Sequence, residues 1–510
     1  MLVYGDHRER ADPAERLTRL GQTLEMVGAM QPGIERHAKL VRALIEAGQL
    51  LQSMADEGVP DASMCEFVHA LAGCVLKSWD SEFEAVGTLP SVPRLSAAQV
   101  ELRLPEGFAF YAVYPEAYAE AARKLKLAGP PRVIGIRSIG TTLAAIVAAA
   151  LDAPPAVTVR PSGDPFARTV ELAPEIVEGG AHYVIVDEGP GLSGSSFGSV
   201  ADALEQRGVP LDRIAFLPSH AGDLGPQASE AHRARWSQTQ RIAAEFDPSF
   251  LEKRFGPLRP FSGGGAWQRL KFIGDRDSEP VLLKFAGLGA LGERKLEMAR
   301  SLHAAALTPE PLELVHGFLV ERWCYDATAL KGEDRPVEEI GRYISARARL
   351  FPAPEASGAS IRELLIMCKR NVGLAFGDEV ARRLDRFDVS GLERRVRRMR
   401  TDNKLDREEW LRLPDGRLLK TDAVDHHQGH DLIGCQGLEW DIAGAIEEFD
   451  LTKQDSARLF ATVGNADPDL LAFYQVAYGA FRLGQAHMSG DVIGADRYGR
   501  SLQHLLVQDC

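Results

Sequence analysis

Residues Tyr183 to Phe197 constrain this chain more than any other stretch. They read Tyr-Val-Ile-Val-Asp-Glu-Gly-Pro-Gly-Leu-Ser-Gly-Ser-Ser-Phe: an apolar, β-rich run that delivers two adjacent carboxylates to a loop of Gly, Ser and Pro, with a helical pattern from Ser199 to Arg207 directly after it. Such a strand, loop and helix is the repeating unit of an α/β sheet. Backbone N–H groups of a small-residue loop, together with the positive end of the next helix, make a concavity that holds a phosphate without side-chain clashes. Ser193, Ser195 and Ser196 add hydroxyl donors. Asp187 and Glu188, as acceptors only, suit the neighbouring hydroxyls of a pentose. The loop therefore suits a ribose 5-phosphate, against the plain alternative of a Gly/Ser turn beside a solvated acidic pair.

A second unit of the same kind lies about fifty residues upstream, a span that a crossover between parallel strands covers. Val133-Ile134-Gly135-Ile136 reads as a strand, Arg137-Ser138-Ile139-Gly140-Thr141-Thr142 as its loop, and Leu143 to Leu151 as an Ala-rich helix. Between the two units, Val157-Thr158-Val159 leads into Arg160-Pro161-Ser162-Gly163-Asp164-Pro165-Phe166-Ala167-Arg168, a polar excursion whose prolines and glycine exclude a helix. Read singly, these are also an ordinary strand-to-helix turn and a solvent-exposed loop.

Together the two units resemble the type I phosphoribosyltransferases, whose signature is a hydrophobic strand, two acidic residues and a Thr/Gly-rich phosphate loop that opens a helix. Asp187 and Glu188 match the acidic pair, and Leu192-Ser193-Gly194-Ser195-Ser196 matches the loop. Ser stands where Thr is usual, and Gly189-Pro190-Gly191 is about one residue longer than the usual spacer. The resemblance implies 5-phosphoribosyl 1-pyrophosphate (PRPP) with Mg²⁺. Its 5-phosphate would lie against Gly191, Leu192, Ser193, Gly194, Ser195 and Ser196, its ribose hydroxyls at Asp187 and Glu188, and its metal at Asp187. Pyrophosphate would leave toward Arg137, Ser138, Gly140 and Thr141 as a nitrogenous acceptor attacks the anomeric carbon. The excursion after Val159 would be a mobile lid, with Arg160 and Arg168 clamping the leaving group.

The C-terminal half starts a second chemistry. Phe261-Ser262-Gly263-Gly264-Gly265 precedes a strand-like stretch, and Pro280-Val281-Leu282-Leu283-Lys284-Phe285 places a lysine among apolar neighbours, where an ammonium wants an anion. A helix bearing Glu293 and Glu297 follows, then Gly317-Phe318-Leu319-Val320-Glu321-Arg322-Trp323 as a strand running into a hinge. In that order these pieces resemble the small lobe of a protein-kinase-like or aminoglycoside-phosphotransferase-like fold. The resemblance implies ATP held by Gly263, Gly264, Gly265, Lys284 and Glu321, with Glu293 or Glu297 orienting the lysine. It reads Thr401-Asp402-Asn403-Lys404 as a divergent catalytic loop, Asp422 as the metal-binding catalytic acid, and Glu439-Trp440-Asp441 as the later aspartate-bearing helix start. The usual His-Gly-Asp and Asp-Phe-Gly motifs are missing. The cluster Asp422, Asp425, His426, His427, His430 and Asp431 suits a metal or a solvated polar loop equally.

At 510 residues the chain is too long for one core. Punctuation by Pro and Gly divides it into a helical cap (1–95), a phosphoribosyltransferase-like parallel α/β domain (96–222), a connector (223–260) and a two-lobed kinase-like domain (261–510), an α/β and α+β multidomain fold. A net charge of −13 argues against a nucleic-acid backbone or an anionic membrane as main partner, leaving small-molecule substrates and an open oligomeric state. Cysteines 65, 74, 324, 368, 435 and 510 show no metal-ligand spacing, and no basic-then-apolar leader or long apolar run occurs, so the expected home is the cytoplasm. The expected function is PRPP-dependent transfer to a nitrogenous acceptor, coupled to a nucleotide-binding half. A non-catalytic PRPP or nucleotide sensor, or a small-molecule kinase with a sugar-phosphate-binding module, are the competing readings.

Overall fold

The apolar runs singled out by the sequence lie side by side. In the computed structural model, Pro131–Ile136 and His182–Val186 are parallel neighbours, with Ile134 opposite Ile185. The structure describes all residues except 6–7, 60–61, 96–98, 192, 262–269 and 508–510. Val157–Val159 flanks the first of these strands, and Ile214–Leu217 and Gln240–Arg241 extend the sheet beyond the second, all in parallel. Every residue of His182–Val186 is buried, as a central strand covered on both faces requires. Val184 and Val186 pack with Leu143 and Ala144 of helix Gly140–Ala150. Tyr183 and Ile185 pack with Phe197 and Val200 of helix Ser195–Glu205 on the other face. In chain order the five strands lie second, first, third, fourth, fifth. The winding therefore reverses between the first and third strands, and the loops leaving Ile136 and Val186 diverge there to open a crevice.

Helix Ser195–Glu205 starts four residues before the periodicity that the sequence shows. Ser and Gly are weak helix formers, so the first turn carries no pattern of its own. It is fixed instead by Gly194, in the left-handed region at φ 63°, and by Phe197, stacked edge-on against Phe216 and Trp236. A Cβ on Gly194 would also lie 2.4 Å from Leu224.

Helices Pro13–Ala29, Ile34–Asp56 and Ala62–Asp80 fill the first part of the chain and share one hydrophobic core with helix Gly140–Ala150 and with Phe285 and Phe318. The segment read as a connector is built into the folded layers: Gln240–Arg241 is the fifth strand of the parallel sheet, and Arg259–Pro260 pairs with Phe272 and Ile273 in the next one. Its Trp236, Leu251 and Phe255 are buried, which the polar average of the stretch concealed.

That next sheet is antiparallel, in the order Arg259–Pro260, Lys271–Arg276, Glu279–Phe285, Phe318–Arg322, Pro311–Val315, and helix Ala290–Ala304 crosses between its last-formed strands. Beyond Arg322 the chain is mainly helical. Helices Ile361–Phe376, Leu438–Glu448 and Pro468–Ser489 pack around Trp440, Tyr474 and Tyr478. A small sheet of Thr328–Ala329, Trp410–Arg412 and Leu418–Lys420 carries the loops facing the antiparallel sheet. No helix among the described residues is long and apolar enough to cross a membrane.

Candidate functional site

The crevice at the sheet's reversal is a cavity of about 910 Å³. Arg137, Ser138, Arg160, Arg168, Asp187, Glu188, Gly191 and Ser196 all line it, so loops far apart in sequence meet at one place. Gly140 and Thr141 sit behind the first loop. A Cβ on Gly140 would lie 2.7 Å from the Val186 carbonyl, so only glycine lets the two strands' loops come this close. The hydroxyls of Ser193 and Ser195 donate to the Pro165 carbonyl at 3.2 and 2.8 Å, tying the chain ahead of helix Ser195–Glu205 to the hairpin of Ser162–Asp164 and Ala167–Thr169. Only Ser196 of the three serines faces the cavity. Leu192 lies outside the described residues.

Electrostatics in the cavity are opposed across its width. Burial, then the charge of Glu188, pushes the Asp187 carboxyl well above the usual range. Burial and the nearby Glu106 push Glu188 to about 7, against the opposing pull of His430 and the Gly107 N–H. On the other side Arg137 and Arg160 converge on Asp56, at 3.0 Å from Arg137 Nη1 and 3.0 Å from Arg160 Nε. Asp56 ends the long helix Ile34–Asp56, so the segment read as a featureless helical cap supplies the acid that holds both arginines. Nothing in the local sequence around Asp56 marks it; only the tertiary fold brings it there.

The second cluster lies between the antiparallel sheet and the loops after Leu418–Lys420. Lys271 and Lys284 stand directly opposite each other on neighbouring strands, a destabilising pairing by itself. Asp422 offsets it, 2.7 Å from Lys271 Nζ and 3.0 Å from Lys284 Nζ. Asp425 lies 3.1 Å from Lys284 and 2.9 Å from Lys295. Although burial opposes charge, Asp425 and Asp422 hold the Lys284 ammonium well above its usual range. Glu321 joins the same buried cluster, its carboxyl raised by burial against the pull of Lys284. Asp422 and Asn403 both have left-handed backbones, at φ 53° and 67°, and strain of this kind gathers at functional loops.

Two sequence-based expectations change here. Glu293 does not orient Lys284: it pairs with Lys39 and Arg42 at 2.6 Å each, because its side of helix Ala290–Ala304 faces helix Ile34–Asp56. Helix Ala290–Ala304 presents Lys295 toward the cleft instead, and Asp425 takes the acidic place. Asp402 is not open to a substrate, since its side chain is fully buried, bonded to Tyr343 and lying 3.4 Å from Lys420 and 3.2 Å from His426. Those cations, with Arg347, outweigh burial and hold its carboxyl below the usual range. It is a positioning residue for the loop. Asp441 does the matching work on the backbone, accepting the Asp402 and Asn403 N–H groups at 2.9 and 3.1 Å. Gly263, Gly264 and Gly265 lie outside the described residues.

The Asp- and His-rich run disperses rather than closing on one point. His430 meets Tyr111 and Glu106, Asp431 meets Gln485, and His427 is buried. Only His426 joins a group with the spacing of metal ligands, with Asp402 and Glu409.

No family model matches the chain, and no curated protein does. Solved structures match about half of it. The choline kinase LicA from Streptococcus pneumoniae is similar at 14% identity and a TM-score of 0.38, over 51% of this chain and 96% of that one. A choline/ethanolamine kinase family protein from Mesorhizobium loti shares 18% identity with a TM-score of 0.34, over 49% of this chain and 88% of that one. A thermostable mutant of the aminoglycoside phosphotransferase APH(4)-Ia shares 15% with a TM-score of 0.35, over 52% and 99%.

The second cleft holds residues to which sequence reasoning gave no part. Lys271 drew no role because its strand alternates weakly, and Asp425 was read within the Asp- and His-rich cluster rather than as the partner of Lys284 and Lys295. Asp441 was quoted only as part of a helix start, yet it carries the loop's backbone.

Proposed function

We propose that the chain binds PRPP at the reversal point of the parallel sheet and transfers its ribose 5-phosphate to a nitrogenous small molecule, releasing pyrophosphate. The convergence of Arg137, Arg160, Arg168, Asp187, Glu188 and Ser196 on one cavity carries this reading. The three relatives named above are kinases or aminoglycoside phosphotransferases, so the reading rests on the cavity. The 5-phosphate would meet the first turn of helix Ser195–Glu205, where backbone N–H groups and the helix dipole favour an anion. Asp187 and Glu188 would accept the ribose hydroxyls' hydrogen bonds. The arginines would take pyrophosphate, displacing Asp56 from them. As the bond from the anomeric carbon to pyrophosphate breaks, its electron pair leaves on the pyrophosphate oxygen, a nitrogen lone pair forms the new bond, and that nitrogen gives up its proton to solvent. Two partly buried carboxylates are hard oxygen donors of the kind Mg²⁺ takes, and the metal would neutralise charge building on pyrophosphate.

Calorimetric titration with PRPP and Mg²⁺ tests this. The expected result is binding by the wild-type protein, weakened at least tenfold in Asp187→Ala/Glu188→Ala, followed by pyrophosphate release when acceptor bases are supplied. Equal binding by both proteins, or none by either, overturns the reading. Binding without pyrophosphate release for any base would leave a sensor.

The arrangement of Lys271, Lys284, Asp422 and Asp441 favours a second activity: nucleotide binding in the kinase-like half, with ATP-dependent phosphorylation of a small molecule. Here the paired lysines would meet nucleotide phosphates while Asp422 holds Mg²⁺. Asp422→Asn is expected to lower ATP affinity at least tenfold and leave PRPP affinity unchanged. Unchanged ATP affinity would remove Asp422 from nucleotide binding.

A further inference from the structure

Away from both clefts, three side chains from distant parts of the chain meet in the protein interior. His37 comes from the first turn of helix Ile34–Asp56, Glu116 from the first turn of helix Pro115–Arg123, and His316 from the turn between strands Pro311–Val315 and Phe318–Arg322. Their side chains are 0%, 2% and 1% exposed. His37 Nε2 lies 2.6 Å and His316 Nε2 2.9 Å from the same oxygen, Glu116 Oε1. The other oxygen, Oε2, is buried without a hydrogen-bond partner. A triad built only for hydrogen bonding would spread two imidazole donors over two carboxylate oxygens, because leaving one bare inside a protein costs about 1–3 kcal/mol.

We propose that His37, Glu116 and His316 bind a zinc-class divalent transition metal. Two imidazole nitrogens and one carboxylate are the ligands such an ion prefers, whereas Mg²⁺ and Ca²⁺ select oxygen. The three ligand atoms already lie within 4.8 Å of one another. An ion about 2.0–2.2 Å from each in tetrahedral geometry needs them roughly 3.3 Å apart, so the two contacts to Glu116 would each lengthen by less than about 1 Å. The surroundings are those of a built site. His37 Nδ1 is 3.0 Å from Ser78 Oγ, which would fix the ring with Nε2 turned to the ion. Tyr114 donates to the His316 carbonyl at 2.7 Å, clamping a turn in which His316 holds a left-handed backbone at φ 41°. Rings of Phe83 and Phe250 pack 5.0 and 5.4 Å from the two histidines and make the shell apolar. A cavity of about 440 Å³ reaches Glu116. The ion would pin the N-terminal helices, the parallel-sheet region and the antiparallel sheet to one point.

The full-length protein, stripped with a chelator and dialysed, would be titrated with Zn²⁺ and separately with Co²⁺. Expected are one tightly held equivalent of zinc, a visible tetrahedral Co²⁺ spectrum, and a rise in melting temperature with zinc. Each should vanish in Glu116→Gln and in His316→Asn, the latter chosen because asparagine tolerates the left-handed turn. No stoichiometric binding and no Co²⁺ spectrum in the wild-type protein would overturn the proposal and leave a hydrogen-bonded triad. Zinc retained in Glu116→Gln would overturn it too, since the ion would then lie elsewhere, for instance at Asp402, Glu409 and His426. Should one variant fail to fold, loss or retention of the Co²⁺ spectrum in the other decides.

Discussion

Arg347→Met is expected to destabilise the C-terminal half by about 3–5 kcal/mol, the usual cost of removing one partner from a buried charged network. The Arg347 side chain is fully buried. Its guanidinium donates to the Arg400 carbonyl at 3.1 and 2.7 Å, to Thr401 at 3.0 Å, to Ala423 at 2.5 Å and to the Tyr343 hydroxyl at 2.9 Å. The three carbonyls belong to the two loops that carry Asp402 and Asp422, so one side chain ties the two together. Methionine matches much of the volume but leaves those carbonyls unpaired and removes the cation that helps keep Asp402 charged. Burial raises Asp441, next in the same network, to about 6, and it would rise further without Arg347. Urea unfolding followed by tryptophan fluorescence is the measurement, since Trp410 packs edge-on against Tyr343 with ring centroids 5.4 Å apart. Arg347→Lys should recover only part of the loss, because an ammonium cannot reproduce the planar fork. A difference below about 1 kcal/mol for Arg347→Met would mean that the loops hold themselves.

How much of this was legible in the sequence differs between the two halves for a physical reason. A central parallel strand is apolar at every position, and its loop must be small, so Tyr183 to Ser196 announces both strand and crevice without help from distant residues. The same holds for Val133 to Thr142, where Gly140 is needed for a close approach to Val186. The C-terminal half was legible only as an order of pieces, because its charges are read in pairs and the partners are far apart: Lys284 and Asp422 are separated by 138 residues. Glu293 shows the failure plainly. A glutamate on the helix after a strand lysine was expected to face that lysine, but which face a helix turns inward is set by what packs on it. Here Lys39 and Arg42 approach from a segment whose own sequence shows only periodicity. Asp56, Asp441 and the triad of His37, Glu116 and His316 were out of reach for the same cause, since each draws its meaning from contacts made across the chain.

Glu188 makes the stability of the unliganded protein depend on pH in the direction opposite to a salt-bridged acid. Its carboxyl moves from an ordinary 4.5 to about 7 on folding, chiefly by burial and then by Glu106. Between those values the folded chain holds a proton that the unfolded chain has released. The stability this confers is fully present below about pH 4.5 and is lost as pH rises through about 7, a total of about 3 kcal/mol. Denaturant unfolding across pH 4.5–7.5 should show that loss in the wild-type protein and a flatter profile in Glu188→Gln, which keeps the neutral form's shape. Groups facing the carboxyl from neighbouring elements are Glu106, His430 and the Gly107 N–H, so Glu106→Gln should move the midpoint down without removing it. A sugar diol and a divalent cation both prefer the carboxylate, so binding them must expel the proton. PRPP affinity is then expected to fall about tenfold for each pH unit below 7, with proton release seen as a buffer-dependent heat in calorimetry, and both effects should disappear in Glu188→Gln. Matching pH profiles for the two proteins would mean that Glu188 is already charged in the empty cavity, and that His430 offsets burial by more than Glu106 adds to it.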